Sequence, residues 1–202
     1  MTVISAASMT TKVEVQLAGV WTDVSGYVDN ASWLTWRHGV NVENRQPESS
    51  TASFSLDNSS ELWSATNSAS QFFNKFRQGV GVQITTTYAG VPRVEFRGTV
   101  TDIREYIPDF GPARLRVQVT CEGLSTQLGD RAYGMAKLDN VDVDDALLAI
   151  ASAAGLGAYQ IESTGTKLPV VVAQKGPMSD MVGAALGEPG SLLYEDGNGL
   201  NF

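Results

Sequence analysis

The chain has 202 residues with 43% hydrophobic and 18% charged residues, enough to bury a sizeable core. With 14 Lys+Arg against 22 Asp+Glu its net charge is −8, which excludes the basic footprint that a phosphate-gripping nucleic-acid protein needs. An acidic balance does permit a protein past which nucleic acid slides without sticking. The imbalance is concentrated late in the sequence, since residues 1–137 carry a net −1 and residues 138–202 a net −7. No apolar run approaches the ~18 residues of a membrane span. The opening MTVISAASMTTK has neither basic leader nor apolar core, so no secretory signal is expected. A single cysteine, Cys121, rules out an internal disulfide.

The first predicted element is a hairpin. Val13, Val15 and Leu17 alternate, Ala18-Gly19 turns, and Trp21 and Val24 continue on the return strand. Ser32 to Arg37 predicts a third strand with Leu34 and Trp36 on one face, followed by the polar loop HGVNVENRQPESS. Ser50 to Leu56 alternates again, placing Ala52, Phe54 and Leu56 inward and Ser53 and Ser55 outward; it stops at the turn-forming Asp57-Asn58. Phe72, Phe73 and Phe76, with Gly79 as a C-cap, predict a short helix over about Ser70–Arg77 that plugs an open end of the sheet. Val80, Val82 and Ile84 form the next strand, ending at an Ala89-Gly90 turn.

The stretch from Val94 to Leu124 is the anchor of the chain. Val94, Phe96, Gly98, Val100 and Ile103 line one arm of a long hairpin, and Leu115, Val117 and Val119 line the other. Pro108, Gly111 and Pro112 punctuate the connection. About seven strands and one short helix predict a small barrel or sandwich over residues 1–128. Cys121, within an alternating strand, reads as a buried structural thiol.

After Leu124 the pattern changes to a smaller α+β domain over residues 129–202. Asp142 caps a helix whose first turn holds Asp144 and Asp145 and whose apolar stripe is Val143, Leu147, Ile150, Ala151 and Ala154, with Gly155 ending it. Short strands are expected at Tyr159–Glu162 and Pro169–Ala173, a second helix from Ser179, and a hairpin turning at Asp196-Gly197-Asn198-Gly199. The last residue, Phe202, falls within a predicted strand, so the sequence reads as one portion of a longer design.

Candidate chemistry is sparse, and the reading assigns no catalytic, cofactor-binding or metal-ligating residue. One histidine, His38, sits in a loop, and without a second histidine or a cysteine pair no zinc set can be assembled. Asp139, Asp142, Asp144 and Asp145 lack the sixth-position glycine and twelfth-position glutamate of a calcium loop, so they read as a helix start. Glu95, Asp102 and Glu105 share a strand with arginines and read as surface pairs rather than glycosidase carboxylates. Trp21, Trp33, Trp36 and Trp63 could form a sugar-stacking platform, with core or interface packing the plainer role. Arg97, Arg104, Arg114 and Arg116 are interleaved with acids that cancel most of their field.

The ordered set WTDVSGYV, SWLTWRHGV, STASFSLDN, GVGVQI, VEFRGTVTDI and LRVQVTCEGLSTQLGD resembles the minor tail proteins of long-tailed bacteriophages. VDVDDALLAIASAAGL and GSLLYEDGNGLNF are similar to elements of the second domain of baseplate or tail hub proteins. The chain departs from that family in SSELWSATN, where a Pro, an Asn and an aromatic often follow Leu-Asp-Asn. The resemblance implies a tube-type barrel in a homotrimeric ring at the virion's tail tip, assembled in the host cytoplasm. It further implies contacts with the distal tail ring, other tip proteins and the tape-measure protein, DNA passing without specific binding, and no enzymatic activity. A carbohydrate-recognising distal tail or receptor-binding module, and the hub of a contractile injection machine, remain as alternatives.

Overall fold

The structure is a computed structural model that describes residues 9–29, 34–38, 49–108, 114–124, 126, 132–133, 138–153, 159–161, 167–171, 176–177, 194–196 and 199–201. Its backbone divides into two compact units, Met1–Arg37 with Thr51–Glu122, and His38–Ser50 with Gly123–Phe202.

The first unit is a seven-stranded sheet: β1 (Met9–Leu17), β2 (Val20–Asp23), β3 (Thr35–Arg37), β4 (Thr51–Asp57), β5 (Gly81–Tyr88), β6 (Val91–Tyr106) and β7 (Arg116–Gly123), in the order β2-β1-β5-β6-β7-β4-β3. Two-residue alternation carries Val13, Val15, Phe54, Leu56, Val82, Ile84, Phe96, Val100, Val117, Val119 and Cys121 into one buried core. Two-residue turns join β1 to β2 and β5 to β6, each an Ala-Gly pair with positive φ at both positions: Ala18 (52°) and Gly19 (85°), Ala89 (50°) and Gly90 (81°). Such turns match the right-handed twist of the strands they join.

The sheet closes on itself. Val24 N donates to Val13 O on β1, and five residues later Asp29 N donates to Ser55 O on β4, both at 2.9 Å. Val28 also bridges Leu56. On a flat sheet four strand spacings would separate β1 from β4, about 19 Å. The connecting segment contains a 3-10 turn at Ser25–Tyr27 and reaches only ~13 Å. The sheet must therefore roll up, and this segment staples β1 to β4.

The short helix expected at Ser70–Arg77 is instead a run of turns. Phe73 N bonds Ser70 O, and both Lys75 N and Phe76 N reach Phe72 O, but Asn74 takes φ 58° and the ladder goes no further. Ser70, whose Oγ bonds Leu62 O and also accepts from Phe72 N, diverts backbone groups that a helix would use. The aromatic side chains still do what the sequence asked of them. Trp63 stacks on Phe72 with ring centroids 4.3 Å apart, and Phe76 and Tyr27 meet Trp63 edge-on at 5.2 and 5.3 Å. Trp63 and Phe76 are buried members of the core, with Phe72 and Tyr27 packed against it.

In the second unit, the helix α1 (Val143–Ala153) buries Val143, Ala146, Leu147, Ile150 and Ala151, with Asp144 and Asp145 in its first turn. The strand Leu138–Asp142, not expected from the sequence, precedes it and pairs antiparallel with Lys167–Val171. Tyr194–Asp196 and Gly199–Asn201 form the expected C-terminal hairpin, and Tyr159–Gln160 adds parallel to its second strand. Ala132–Tyr133 pairs with Gly176–Pro177. The predicted second helix from Ser179, as well as Trp33, Ala154 and Gly155, lie outside the described residues.

Candidate interaction surface

One surface stands out: a three-stranded arm that runs past the end of the barrel. β2 covers β1 only along Glu14–Leu17, whereas β5 accompanies β1 from Met9 to Val15. On the other side β7 ends at Gly123, and the Glu122 carbonyl faces Gly98, so β6 from Val91 to Glu95 lies beyond it. Among the described residues, β1 at Met9–Lys12 and β6 at Val91–Glu95 have no strand on their outer edges.

The arm's inner face is the barrel's core face carried into solvent. Met9 lies opposite Tyr88, and Tyr88 opposite Val91, so the three side chains form one row across three strands. Met9 follows the alternation of Thr11, Val13 and Val15, and Tyr88 that of Ile84 and Thr86. A register shift between Ile84 and Thr85 brings Val91 and Arg93 onto the face that Phe96 occupies deeper in the barrel. The row is 60%, 63% and 68% exposed. A strand pattern that buries apolar side chains normally does not continue uncovered into water.

At the opposite end of β1, Val20 is exposed and Trp21 is partly exposed. A Cβ on Gly81 would lie 3.2 Å from the Trp21 ring, so this glycine makes room for the indole to lie across the sheet.

The residues weighed for chemistry are dispersed and locally engaged. Glu95 accepts from Thr86 Oγ1 at 2.7 Å, Asp102 accepts from Ile103 N at 3.0 Å, and Glu105 accepts from Ser64 Oγ at 2.7 Å. Arg97 donates to Gln83 Oε1 at 2.5 and 3.1 Å, and Arg116 pairs with Asp29 at 2.6 Å. Arg104 and Arg114 face Asp102 and Asp57 at 3.9 Å. His38 is exposed. Among the described residues no three His, Cys, Asp or Glu side chains come together as a metal-binding group.

Of the four tryptophans weighed as a sugar platform, Trp33 lies outside the described residues, and two of the other three are engaged within the fold. Trp63 is 3% exposed with one face stacked on Phe72, so a sugar ring has no face to meet. Trp36 packs against the core, leaving Trp21 as the accessible indole among the described residues.

Two aspartates organise turns. The Ser25 hydroxyl and backbone amide both donate to Asp23, the hydroxyl contributing more, and hold its carboxyl below the usual range. The Ser59 amide does the same for Asp57, helped by its hydroxyl and by Arg114 and Arg116. Next to Asp57, the buried Asn58 accepts from Trp63 N through Oδ1 at 2.8 Å and donates from its backbone N to Leu115 O at 2.9 Å. The Leu-Asp-Asn run thus ends β4 and seats the aromatic plug. Desolvation pushes the Cys121 thiol up to about 12, the state of an inert core residue.

Sequence reading missed the arm. It began the strand after the Ala89-Gly90 turn at Val94, and the first strand at Val13. The signal was present in the two-residue Ala89-Gly90 turn, which demands strand on both sides at once.

No protein-family profile matches this sequence, and no curated protein does. Solved structures do share its fold. The 43 kDa tail protein of prophage MuSo2 from Shewanella oneidensis matches with a TM-score of 0.58 at 12% identity, covering 95% of this chain and 54% of that one. The tail protein from Neisseria meningitidis MC58 matches at 0.56 and 10%, covering 95% and 49%. A chain of the half-lidded Francisella PdpA-VgrG complex matches at 0.55 and 9%, covering 100% and 32%. This chain spans about half the length of the first two proteins and about a third of the last. What is common to them at these identities is the fold.

Proposed function

We propose that this chain is a structural component of a phage-type tail: a hub or minor tail protein whose barrel forms part of a ring around the channel through which DNA leaves. In this reading the ring is a homotrimer at the tail tip of the virion, assembled in the host cytoplasm. It connects the distal tail ring to the tip proteins, and the tape-measure protein and then DNA pass through it. The role is mechanical and asks no catalysis of the chain. One observation carries the reading: backbone likeness over 95% of the chain to two tail proteins whose sequences share 12% and 10% identity with it. The acidic balance supports it, because a channel of net negative or neutral surface does not hold phosphates. The four arginines that could have gripped DNA are each engaged with an acid or amide of this chain.

Native mass spectrometry and class-averaged electron micrographs of the purified full chain test the proposal. The expected result is a three-copy ring with a central opening. A monomer at every accessible concentration that binds cell-surface sugar would overturn it in favour of a receptor-binding module. Labelled antibody on intact particles then places the protein at the tip, and a contractile sheath on those particles would mark the contractile counterpart.

A further inference from the structure

We infer that the outer face of the sheet around Trp21 is a carbohydrate-binding platform, on which the indole meets the apolar face of an uncharged pyranose while Gln16, Gln83 and Arg97 bond its hydroxyls. The inference goes beyond the ring reading and does not depend on it.

Alternation and register place the indole. Gln16 lies between the core residues Val15 and Leu17, so it points outward, and Trp21 is its partner across the β1–β2 pair. Trp21 and Gly81 stand two strands apart, about 9.6 Å on a flat sheet. Trp21 Cη2 nevertheless comes within 3.2 Å of where Gly81 would carry a Cβ. To reach that far, the long axis of the indole runs along the sheet, across β1, instead of out into water. Gln16 Oε1 lies 3.1 Å from the same point, so its amide is beside the ring. The ring is thus seated against the sheet, with Trp21 still 40% exposed.

The neighbours supply what a sugar needs. A pyranose has an apolar face of C–H groups and a rim of hydroxyls that both donate and accept. One row further along the strands, about 6.8 Å away, Gln83 on β5 lies between Glu14 on β1 and Arg97 on β6. Arg97 gives two N–H groups to Gln83 Oε1, at 3.1 and 2.5 Å. A guanidinium has five in a fixed fork, so the others remain for a ligand's hydroxyls. Glu14 takes Lys12 on Oε1 at 2.6 Å and keeps its second oxygen as an acceptor. Charge on this face cancels, Lys12 and Arg97 against Glu14 and Asp23, which favours an uncharged ligand over a phosphate chain. The setting also differs from a protein-docking core, where aromatic anchors sit in well-packed, largely apolar surroundings. Here the outward neighbours of the indole are Gln16, Gly81 and Asp23, while Val20 points to the other face with Leu17. One indole among amides and a guanidinium suits a ligand that is apolar on one face and hydroxylated at its rim.

The test uses the full chain and three uncharged probes, oligosaccharides of N-acetylglucosamine, of β-linked glucose and of mannose, titrated calorimetrically. At least one should bind, and Trp21→Ala should weaken that binding about tenfold while the protein still unfolds cooperatively. Gly81→Ala is the sharper variant. It keeps Trp21 but sets a methyl against Cη2 and Gln16 Oε1, both ends of side chains that can move, so the fold should hold and the displaced indole should bind the same sugar more weakly. Arg97→Lys loses the fork and should weaken binding too. Binding that both Trp21→Ala and Gly81→Ala leave unchanged, or no binding of any probe at about 10 mM, overturns the inference. Binding of oligothymidylate in place of the sugars would make this a base-stacking surface and overturn it as well. Native mass spectrometry reads the ring separately, so failure here leaves the ring reading standing. Loss of the ring in Trp21→Ala, with no sugar bound by the wild type, would instead make Trp21 a contact between copies.

Discussion

Gly98→Ala tests the packing at the heart of the long hairpin. A Cβ at this position would fall 2.2 Å from the Glu122 carbonyl oxygen, 2.8 Å from its carbon and 2.7 Å from Phe96 Cζ. Neither neighbour can step aside cheaply. Glu122 belongs to β7 and is in register with Thr51 on β4, while Phe96 is 1% exposed within the core. Relief requires β7 to retreat by about 1 Å, which strains the ladders on both of its sides. Overpacking of this kind costs about 1–3 kcal/mol. A weakened ladder bond adds about 1 kcal/mol, and the stiffer unfolded chain returns roughly 0.5 kcal/mol. The net is a loss of about 1.5–3.5 kcal/mol, or a melting temperature lowered by about 3–14 °C for a chain of this size. Gly26→Ala is the control, since its Cβ meets nothing within 4 Å and its φ is not positive. Thermal and urea unfolding followed by circular dichroism measure both variants. A Gly98→Ala protein within 0.5 kcal/mol of wild type, as roughly expected for an uncrowded surface position, would refute the close approach of β6 and β7.

Other outcomes follow from the same structure. Trp63→Ala should cost about 3–5 kcal/mol by emptying the centre of the aromatic plug, read as lost near-ultraviolet dichroism and an earlier urea midpoint. Asn58→Ala strands the Trp63 amide and should cost about 1–3 kcal/mol in the same assay. Ala89→Asn places a residue tolerant of positive φ in the β5–β6 turn and should stabilise by up to about 1 kcal/mol, with the melting temperature rising. Asp23 and Asp57 have folded pKa values below their ordinary 3.8. Their stabilisation is therefore fully present above that value and is lost as pH falls through the lowered one. An Asp23→Asn/Asp57→Asn variant should show a shallower acid limb in melting temperature against pH than wild type.

Much of the fold was legible in the residues. Alternation identified the inward faces of β1, β4, β5, β6 and β7, because a half-buried strand shows its core in every second letter. The helix after Asp142 was equally plain from its stripe and its acidic first turn. The turns around Phe72 were not, because three phenylalanines spaced for a helix are also spaced to fill a hole. Ser70 and Asn74 tipped that balance through local bonds that no periodicity records. Ser55 shows the same limit. It lies on the outward face as its position predicts, yet it is buried, bonded to Gln118 at 2.8 Å and Tyr106 at 3.1 Å across two other strands.

Residue pattern alone was enough to say that this is a β protein with a hidden thiol, tight Ala-Gly turns and a helix-bearing second part, since each of those depends on neighbours within a few positions. Long-range geometry was needed for the rest. The stapling of β1 to β4 by Val24–Asp29, the crowding of Gly98 by Glu122, and the exposure of Met9, Tyr88 and Val91 each depend on where a distant strand begins or stops. A strand's own letters say which face seeks cover; only its neighbours' lengths say whether cover arrives.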